Sequence, residues 1–588
     1  MNQNGNNNAA EVSMALPSIS ARDGVSIATG IGWAILGFVP VVGPGLSAAA
    51  GILNVIIPFL WPEDETPGTP QAQITWDKLM STVEGLTDER ILASKRSDAT
   101  ARLQGIQGLT RDYTQAINDL KTDPNNELKK DRVRDAFDDV EDYLKVSMPF
   151  FRAQGFEAQM LAMYAQAANM HLLLLRDVVQ HGTSWGFQQY EVDRYYSNTN
   201  SQGNPGMLQL LTQYTEHCVS WYNTGLANRR ATNNWDTFNN FRKDMTLMVL
   251  DIISLWPTYD PNFYAVPTKS QLTRTLYTPV LGRTSGKSLS NIEDSVVASP
   301  SLFTWLRSLH LYSHIINAQF GYSRFCGVRP NYQYTLNNNI ITGEMKGLYG
   351  DRDRQDITIP SLQDNDDIRF IWTSRGNDPN YSQNTHQVIE WQFEFAKSAT
   401  QTATTTDIRY PYWIESVLPY INENPNLYSH RFSHMGAGIS INSSASTDYY
   451  SYGWTHVSAD YNNLIDAQKI TQIPAVKASS ISGGARVVKG PGSTGGDLIE
   501  LPFSTAGRIT LNVTLADITK SYKVRVRYAS GSNSKIADTL TYADFSYTDS
   551  DIITPSSSDY TYIYDLNPSD FGGLEGKFFI DKIEFIPM

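Results

Sequence analysis

Over roughly the first 260 residues, hydrophobic positions recur every three or four residues, and that period predicts helices. Leu103, Ile106, Leu109, Tyr113, Ile117 and Leu120 form one stripe, in a helix expected over Asp88–Leu120. Val133, Phe137, Val140, Leu144, Met148 and Phe151 form a second, over Asp131–Phe151. Met207, Leu211, Tyr214, Cys218 and Trp221 continue the style. The run TDPNN between Lys121 and Glu127 ends one helix and starts the next.

Glu157–His181 has a different pattern. Leu161, Tyr164, Ala168, Leu172 and Leu175 lie on one face, and Met163, Ala167, Met170, Leu174 and Val178 on another. A helix that is apolar all round is the centre of a bundle or a membrane span. Its 25 residues make about 37 Å. The hydrocarbon layer is ~30 Å thick, so the segment has the length for either role. Within a bundle, its polar residues Asn169, His171, Arg176 and Asp177 need partners, because buried polar groups are costly alone.

After Pro261 the pattern becomes alternation in short runs. Asp367–Thr373, Val388–Phe395, Arg508–Leu515 and Tyr522–Tyr528 read as strands between turn-rich loops. A joint falls near Gln472–Pro474, ahead of the glycine-rich Gly490–Gly496. Helices first and strands later indicate separate domains.

Charge and cysteine content narrow the function. Lys+Arg number 47 and Asp+Glu 60, a net charge of -13, which argues against a general nucleic-acid binder. The two cysteines, Cys218 and Cys326, exclude a disulfide framework and a multi-cysteine zinc site. Both are expected as buried free thiols. The Asn-rich Met1–Ala10 has no basic residue, unlike a secretory signal. Residues 24–62 carry no charge, and Pro40, Gly43, Pro44 and Gly45 split them into two helical lengths. These suit either two core helices or a hairpin released later. The sequence has no HExxH, GxSxG, P-loop or CxxC, and its nine histidines show no metal-ligand spacing. No enzymatic activity, metal or cofactor is therefore expected.

Five blocks, in order, carry a family resemblance. They are Tyr164–Phe187 (YAQAANMHLLLLRDVVQHGTSWGF), Asn234–Tyr277, Ile470–Asp497 with TQIPAVKA and VVKGPGSTGGD, Tyr522–Ser530 (YKVRVRYAS) and Phe579–Pro587 (FIDKIEFIP). Together they resemble the three-domain crystal toxins (Cry delta-endotoxins) of insecticidal bacilli, from about Arg22 onward. Residues of about 340–430 resemble that family least. The fold implied is multidomain: an N-terminal seven-helix bundle, a β-prism of three sheets and a jelly-roll β-sandwich. The resemblance implies a tail over 1–22 removed on activation, a helical pore-forming domain over 23–262, a receptor-binding prism over 263–472 and a jelly roll over 473–588.

It also implies function and site residues. The expected activity is pore formation in host gut epithelial membranes, after cleavage by gut proteases and binding to protein or glycan receptors, with a homo-oligomer as the pore. The expected location is a parasporal inclusion, then the host gut. Cleavage is expected at Arg22, with a second site at Lys121, Lys129 and Lys130. Asp139 is the expected lumen-facing carboxylate, on a helix where Arg134, Asp138, Glu141 and Asp142 lie opposite the apolar stripe. Asn169, His171, Arg176 and Asp177 mark the inserting partner. Three loops correspond to the family's receptor loops: Gln319–Ser323 with Phe320 and Tyr322, Gly376–Gln383 with Asn380 and Tyr381, and Asn442–Tyr452 with Tyr449, Tyr450 and Tyr452, beside Trp454. The competing reading is a lectin-like glycan binder without pore activity, with the helical domain as scaffold.

Overall fold

The computed structural model describes residues 89–588 apart from 201–202, 267, 283, 285, 318–321, 337–338, 348–353, 360–365, 377–386, 405–410, 418–429, 440–446, 503–505, 533 and 567–575. The Asn-rich start, Arg22 and the uncharged stretch 24–62 lie outside the described residues.

The periodic segments are helices. Helix α1 is Glu89–Thr122, α2 Glu127–Phe151 and α3 Leu161–Trp185. They are followed by α4 Gln189–Tyr196, α5 Met207–Ala231 and α6 Trp235–Met245. The TDPNN run works as its chemistry requires: the Asn126 side chain caps α2 by accepting the Lys129 N–H at 3.3 Å. Gly186, at φ 97, ends α3 in the left-handed conformation that glycine adopts without strain. Every residue from Leu161 to Val178 is buried, so α3 is the axis of the bundle. After α6 the chain passes through a π turn, Thr246–Leu250, and a 3-10 turn, Trp256–Tyr259, both buried against α3.

Three four-stranded antiparallel sheets come next. The first orders Ile340–Thr342, Tyr322–Tyr334, Thr304–Asn317 and Arg354–Ile359. The second orders Gln401–Thr404, Gln387–Phe395, Ile368–Gly376 and Pro411–Val417. In the third, Thr447–His456 pairs with His430–Ile439 on one side and with Thr275–Tyr277 and Leu281–Gly282 on the other. One core serves all three: Leu311, Phe325, Ile371, Trp391, Phe393, Met435, Tyr452 and Trp454 belong to a single buried cluster. A short helix, α7 (Leu289–Val296), covers the outer side of the third sheet.

The last unit is a sandwich of a seven-stranded and a four-stranded sheet. Alternation is clearest in Gly507–Leu515, whose odd-numbered residues are all buried. The closing strand Lys577–Pro587 lies between Tyr522–Gly531, Ile470–Pro474 and Leu498–Pro502. Two connections cross the expected boundaries. Thr268–Lys269 pairs in parallel with Ile470–Thr471, so the chain contributes to the sandwich before it builds the prism. Leu464–Ile465 already pairs with Thr514–Leu515, ahead of residue 473.

Polar groups at the seams fasten the three units together. Arg274 bridges Asp251 of the helical unit at 3.1 Å and donates to the carbonyls of Gly492, at 2.7 Å, and Thr494 in the glycine-rich loop. Glu584, fully buried, accepts from Arg525 at 2.6 Å, Tyr264 at 2.7 Å and Gln472 at 2.7 Å.

Candidate functional site

Helix α3 is sheathed but not uniformly greasy. Gln166, Asn169 and Arg176, at steps of three and seven, share one face, which is turned toward residues 246–260. Gln166 donates to the Met248 carbonyl at 3.4 Å. The Asn169 carbonyl accepts from Trp256 Nε1 at 2.9 Å and from the Tyr259 hydroxyl at 2.8 Å. Arg176 is 2 % exposed, and its Nε and Nη1 have no hydrogen-bond partner among the described residues. Burial lowers its pKa, against the opposing pull of Asp177, Tyr259 and Asp260. Asp177 accepts the Tyr113 hydroxyl of α1 at 2.9 Å. Asn169, Arg176 and Asp177 are thus all buried: the first two face residues 246–260, and Asp177 is held by α1.

His171 lies on another face. Its Nδ1 is 2.8 Å from the Tyr214 hydroxyl of α5, and its Nε2 is 3.8 Å from Glu141 of α2. Here the structure corrects the sequence reading. Glu141 is not on the solvent side of α2; it is 5 % exposed and points inward, held by Lys145 and facing His171. The signal was present, since Glu141 follows the buried Phe137 by four residues and so falls on the same face. Asp135, Asp138, Asp139 and Asp142 do form an exposed acidic face on α2. Burial raises the Asp138 pKa, with its neighbouring carboxylates, while the Tyr195 hydroxyl at 3.2 Å opposes the shift. Arg134 is half-buried and ties α2 to the end of α3 through the Trp185 carbonyl.

Among the described residues, no helix is long and apolar enough to cross a membrane. Helix α3 has the length of a span, but its buried polar residues lower its apolar character.

The aromatic receptor loop is a second correction. Tyr449, Tyr450, Tyr452 and Trp454 stand on the strand Thr447–His456, and all four are buried, at 2 % exposed or less. Tyr450, Tyr452 and Trp454 point into the prism. Tyr450 packs on Phe325, Trp454 on Phe432, and the Tyr452 hydroxyl is 2.8 Å from Thr373 Oγ1. Tyr449 points the other way, into a cluster with Leu289, Ile292 and Val296 of α7 and Trp235 and Phe238 of α6. Gly438 makes room for it; a Cβ there would lie 2.1 Å from the Tyr449 ring. A strand covered on both faces buries a continuous aromatic run, whereas a half-exposed strand buries alternate residues.

The remaining expected contacts are only partly placed. Tyr322 begins the strand Tyr322–Tyr334. Phe320, Asn380 and Tyr381 lie outside the described residues, as does the turn 440–446. The turn 123–125 between α1 and α2 is exposed, as is Lys121, while Lys129 and Lys130 are half-buried. Cys218 and Cys326 are both buried, as the composition suggested.

Comparison with known proteins gives one answer along the chain. The family described as delta endotoxin, N-terminal domain, matches residues 31–260, and two further delta endotoxin families match 268–460 and 470–538. Pesticidal crystal protein Cry1Ea of Bacillus thuringiensis subsp. kenyae is 33% identical over 87% of this chain and 45% of its own length. Cry19Aa of Bacillus thuringiensis subsp. jegathesan is 31% identical over 97% of this chain and 90% of its own. The chain thus spans under half of one relative and most of the other. Among solved structures, the insecticidal delta-endotoxin Cry8Ea1 from Bacillus thuringiensis superposes with a TM-score of 0.80 at 26% identity, covering 97% of this chain and 100% of that one. A Cry1Da tryptic core variant from the same species gives 0.79 at 27%, covering 95% and 99%.

Proposed function

The chain belongs to the delta-endotoxin family, and from that premise we propose that it is an insecticidal toxin that kills gut epithelial cells by opening pores in their membranes. The observation that carries this reading is α3, a 25-residue helix buried from Leu161 to Val178 inside a sleeve of amphipathic helices. A scaffold does not need such a helix, but a protein that keeps a membrane-entering segment covered in water does.

Because α3 is too polar to enter lipid alone, the inserting unit is the α2–α3 hairpin, joined by residues 152–160. A helix satisfies its own backbone in lipid. Asn169, His171, Arg176 and Asp177, stripped of their partners on α1, α5 and 256–260, then face other helices or water, where polar groups within membranes are found. That requirement favours a homo-oligomer. The exposed acidic face of α2, with Asp139, lines the lumen and biases it toward cations.

The route to the membrane follows the family. The chain is stored in a parasporal inclusion, gut proteases cut after Arg22, and prism loops engage a protein or glycan on the host cell. Phe320, Tyr322, Asn380 and Tyr381 carry that contact; the four buried aromatics of the third sheet do not. The action is physical and uses no catalysis or cofactor.

The test is dye release from vesicles made with insect brush-border membrane, with trypsin-treated protein. Release within minutes supports the reading. Tight binding to the same vesicles with no release at any dose overturns it in favour of a glycan-binding protein.

A further inference from the structure

Three of the nine histidines of the chain sit in the third sheet of the prism. His430 and His456 oppose each other across the antiparallel pair, ring centres 5.1 Å apart, and are 3 % and 5 % exposed. His456 Nδ1 accepts the Ser458 N–H at 3.0 Å, which holds that ring as the neutral tautomer protonated at Nε2. His434, half-buried on the strand of His430, has its Nδ1 3.0 Å from the Tyr332 hydroxyl and stands edge-on to Tyr277 at 6.0 Å. It also hydrogen-bonds the backbone of Val296, the last residue of α7.

The surroundings are poorly suited to more positive charge. The pair lies in the field of Arg431, which is 3.4 Å from Asp367. Near Arg431, Lys477 is held by the Asp460 carbonyl and Gln271, and Lys269 occupies the Asp460 carboxylate at 2.5 Å. His434 lies in the field of Lys346, which pairs with Glu344 at 3.2 Å. On α7, Glu293 is engaged by Arg230 at 2.7 Å and Arg242 at 3.3 Å, and the Asp294 carbonyl receives Lys346.

This sheet is also the joint with the helical unit. Tyr277, against which His434 packs, offers its carbonyl to Asn239 of α6 at 2.8 Å, and Tyr449 on the next strand packs against Trp235 and Phe238.

We propose that the three histidines make the third sheet an acid-sensitive latch: mild acidification favours an opened form in which they take up protons, and so unseats the sheet from α7 and the helical unit. Burial, with Arg431 or Lys346 adding to it, pushes His456 down to about 3 and His434 down to about 4, and holds His430 well below its ordinary range. In an opened chain each takes its proton near pH 6.5. Between those limits the opened state binds more protons, so stability falls as pH drops from about 6.5 toward 4. The seam carboxylate Asp251 runs the other way: burial pushes it up to about 6 against the pull of Arg274, so its share favours the closed form as pH falls. His217 of α5, lowered to about 4 by burial and by Arg152, adds an acid-sensitive share outside the sheet.

The experiment is calorimetry with peptide-resolved hydrogen exchange, corrected for intrinsic rates, on the full chain at pH 7.5, 6 and 5. In the wild type, Tm is expected to fall by about 5 °C or more between pH 7.5 and 5, with exchange rising first in 430–439 and 447–456. In His434→Gln/His456→Gln the fall should be roughly halved, His430 and His217 carrying the rest, and the early exchange should disappear. An identical fall in the double variant, or wild-type exchange that rises first elsewhere, overturns the latch. Should the double variant not fold, His434→Gln alone must flatten the profile; an unchanged slope overturns the proposal equally.

Discussion

Leu161–Val178 of α3 and residues 449–456 of the third sheet are both buried on every side, yet the sequence announces one and conceals the other. Most of the cover of α3 comes from amphipathic helices, so apolar residues occupy every face but the one that Gln166, Asn169 and Arg176 turn toward residues 246–260, and the pattern is visible within a single segment. The strand is covered on one side by the other two prism sheets and on the other by α7 and α6, elements more than 150 and more than 200 residues away in sequence. Its sequence TDYYSYGWTH mixes small polar residues with aromatics, as a binding loop does. Burial imposed by neighbours distant in sequence leaves no local period. Full burial is legible when the cover is made of like elements and is hidden when two different structures close on one strand.

The comparison is broken most readily at the strand. Trp454→Ala empties a fully buried site in the prism core and should cost about 3–5 kcal/mol in denaturant unfolding. A change within ~0.5 kcal/mol, as an exposed loop residue would give, contradicts the assignment. The next effect belongs to α3. Asn169→Leu strands two buried donors, on Trp256 and Tyr259, and should cost about 2–4 kcal/mol by the same measurement. A neutral result would mean that the polar face of α3 contributes little to holding the sheath.

Smaller still is Tyr449→Phe. It keeps the ring over Gly438 and loses the hydroxyl contacts to Ser295 Oγ at 3.2 Å and to the Asn291 carbonyl at 3.5 Å, so about 1 kcal/mol is expected, with binding to gut membrane vesicles unchanged. A fall in vesicle affinity at constant stability would restore a receptor role to this residue. Asp139→Asn, on the open face of α2, should leave stability within about 0.5 kcal/mol and lower the cation preference of channels in planar bilayers. Unaltered selectivity removes Asp139 from the lumen.

The helices and strands, and the order of the three units, could be read from periodicity and block resemblance, because each depends on residues near one another in sequence. The pairing of Thr268–Lys269 with Ile470–Thr471 could not, since two residues carry no pattern. The site was legible in residue type and only partly in place. Asn169, His171, Arg176 and Asp177 stood out as polar residues in an apolar helix, but their partners Trp256, Tyr259, Tyr214 and Tyr113 lie 43 to 90 positions away or are ordinary stripe residues. Glu141 was misplaced because a carboxylate inside a bundle is improbable until His171 and Lys145 are seen beside it.

The central claim is that the α2–α3 hairpin leaves its sheath to make the pore. The direct measurement is vesicle leakage by a chain carrying one engineered disulfide between α1 and the hairpin, assayed oxidised and then reduced. Both native cysteines are buried, so the new bridge can be formed and broken without interference. The account predicts no leakage with the bridge closed, undiminished binding to the same vesicles, and full leakage on reduction. Leakage at the wild-type rate with the bridge shown to be closed would contradict it.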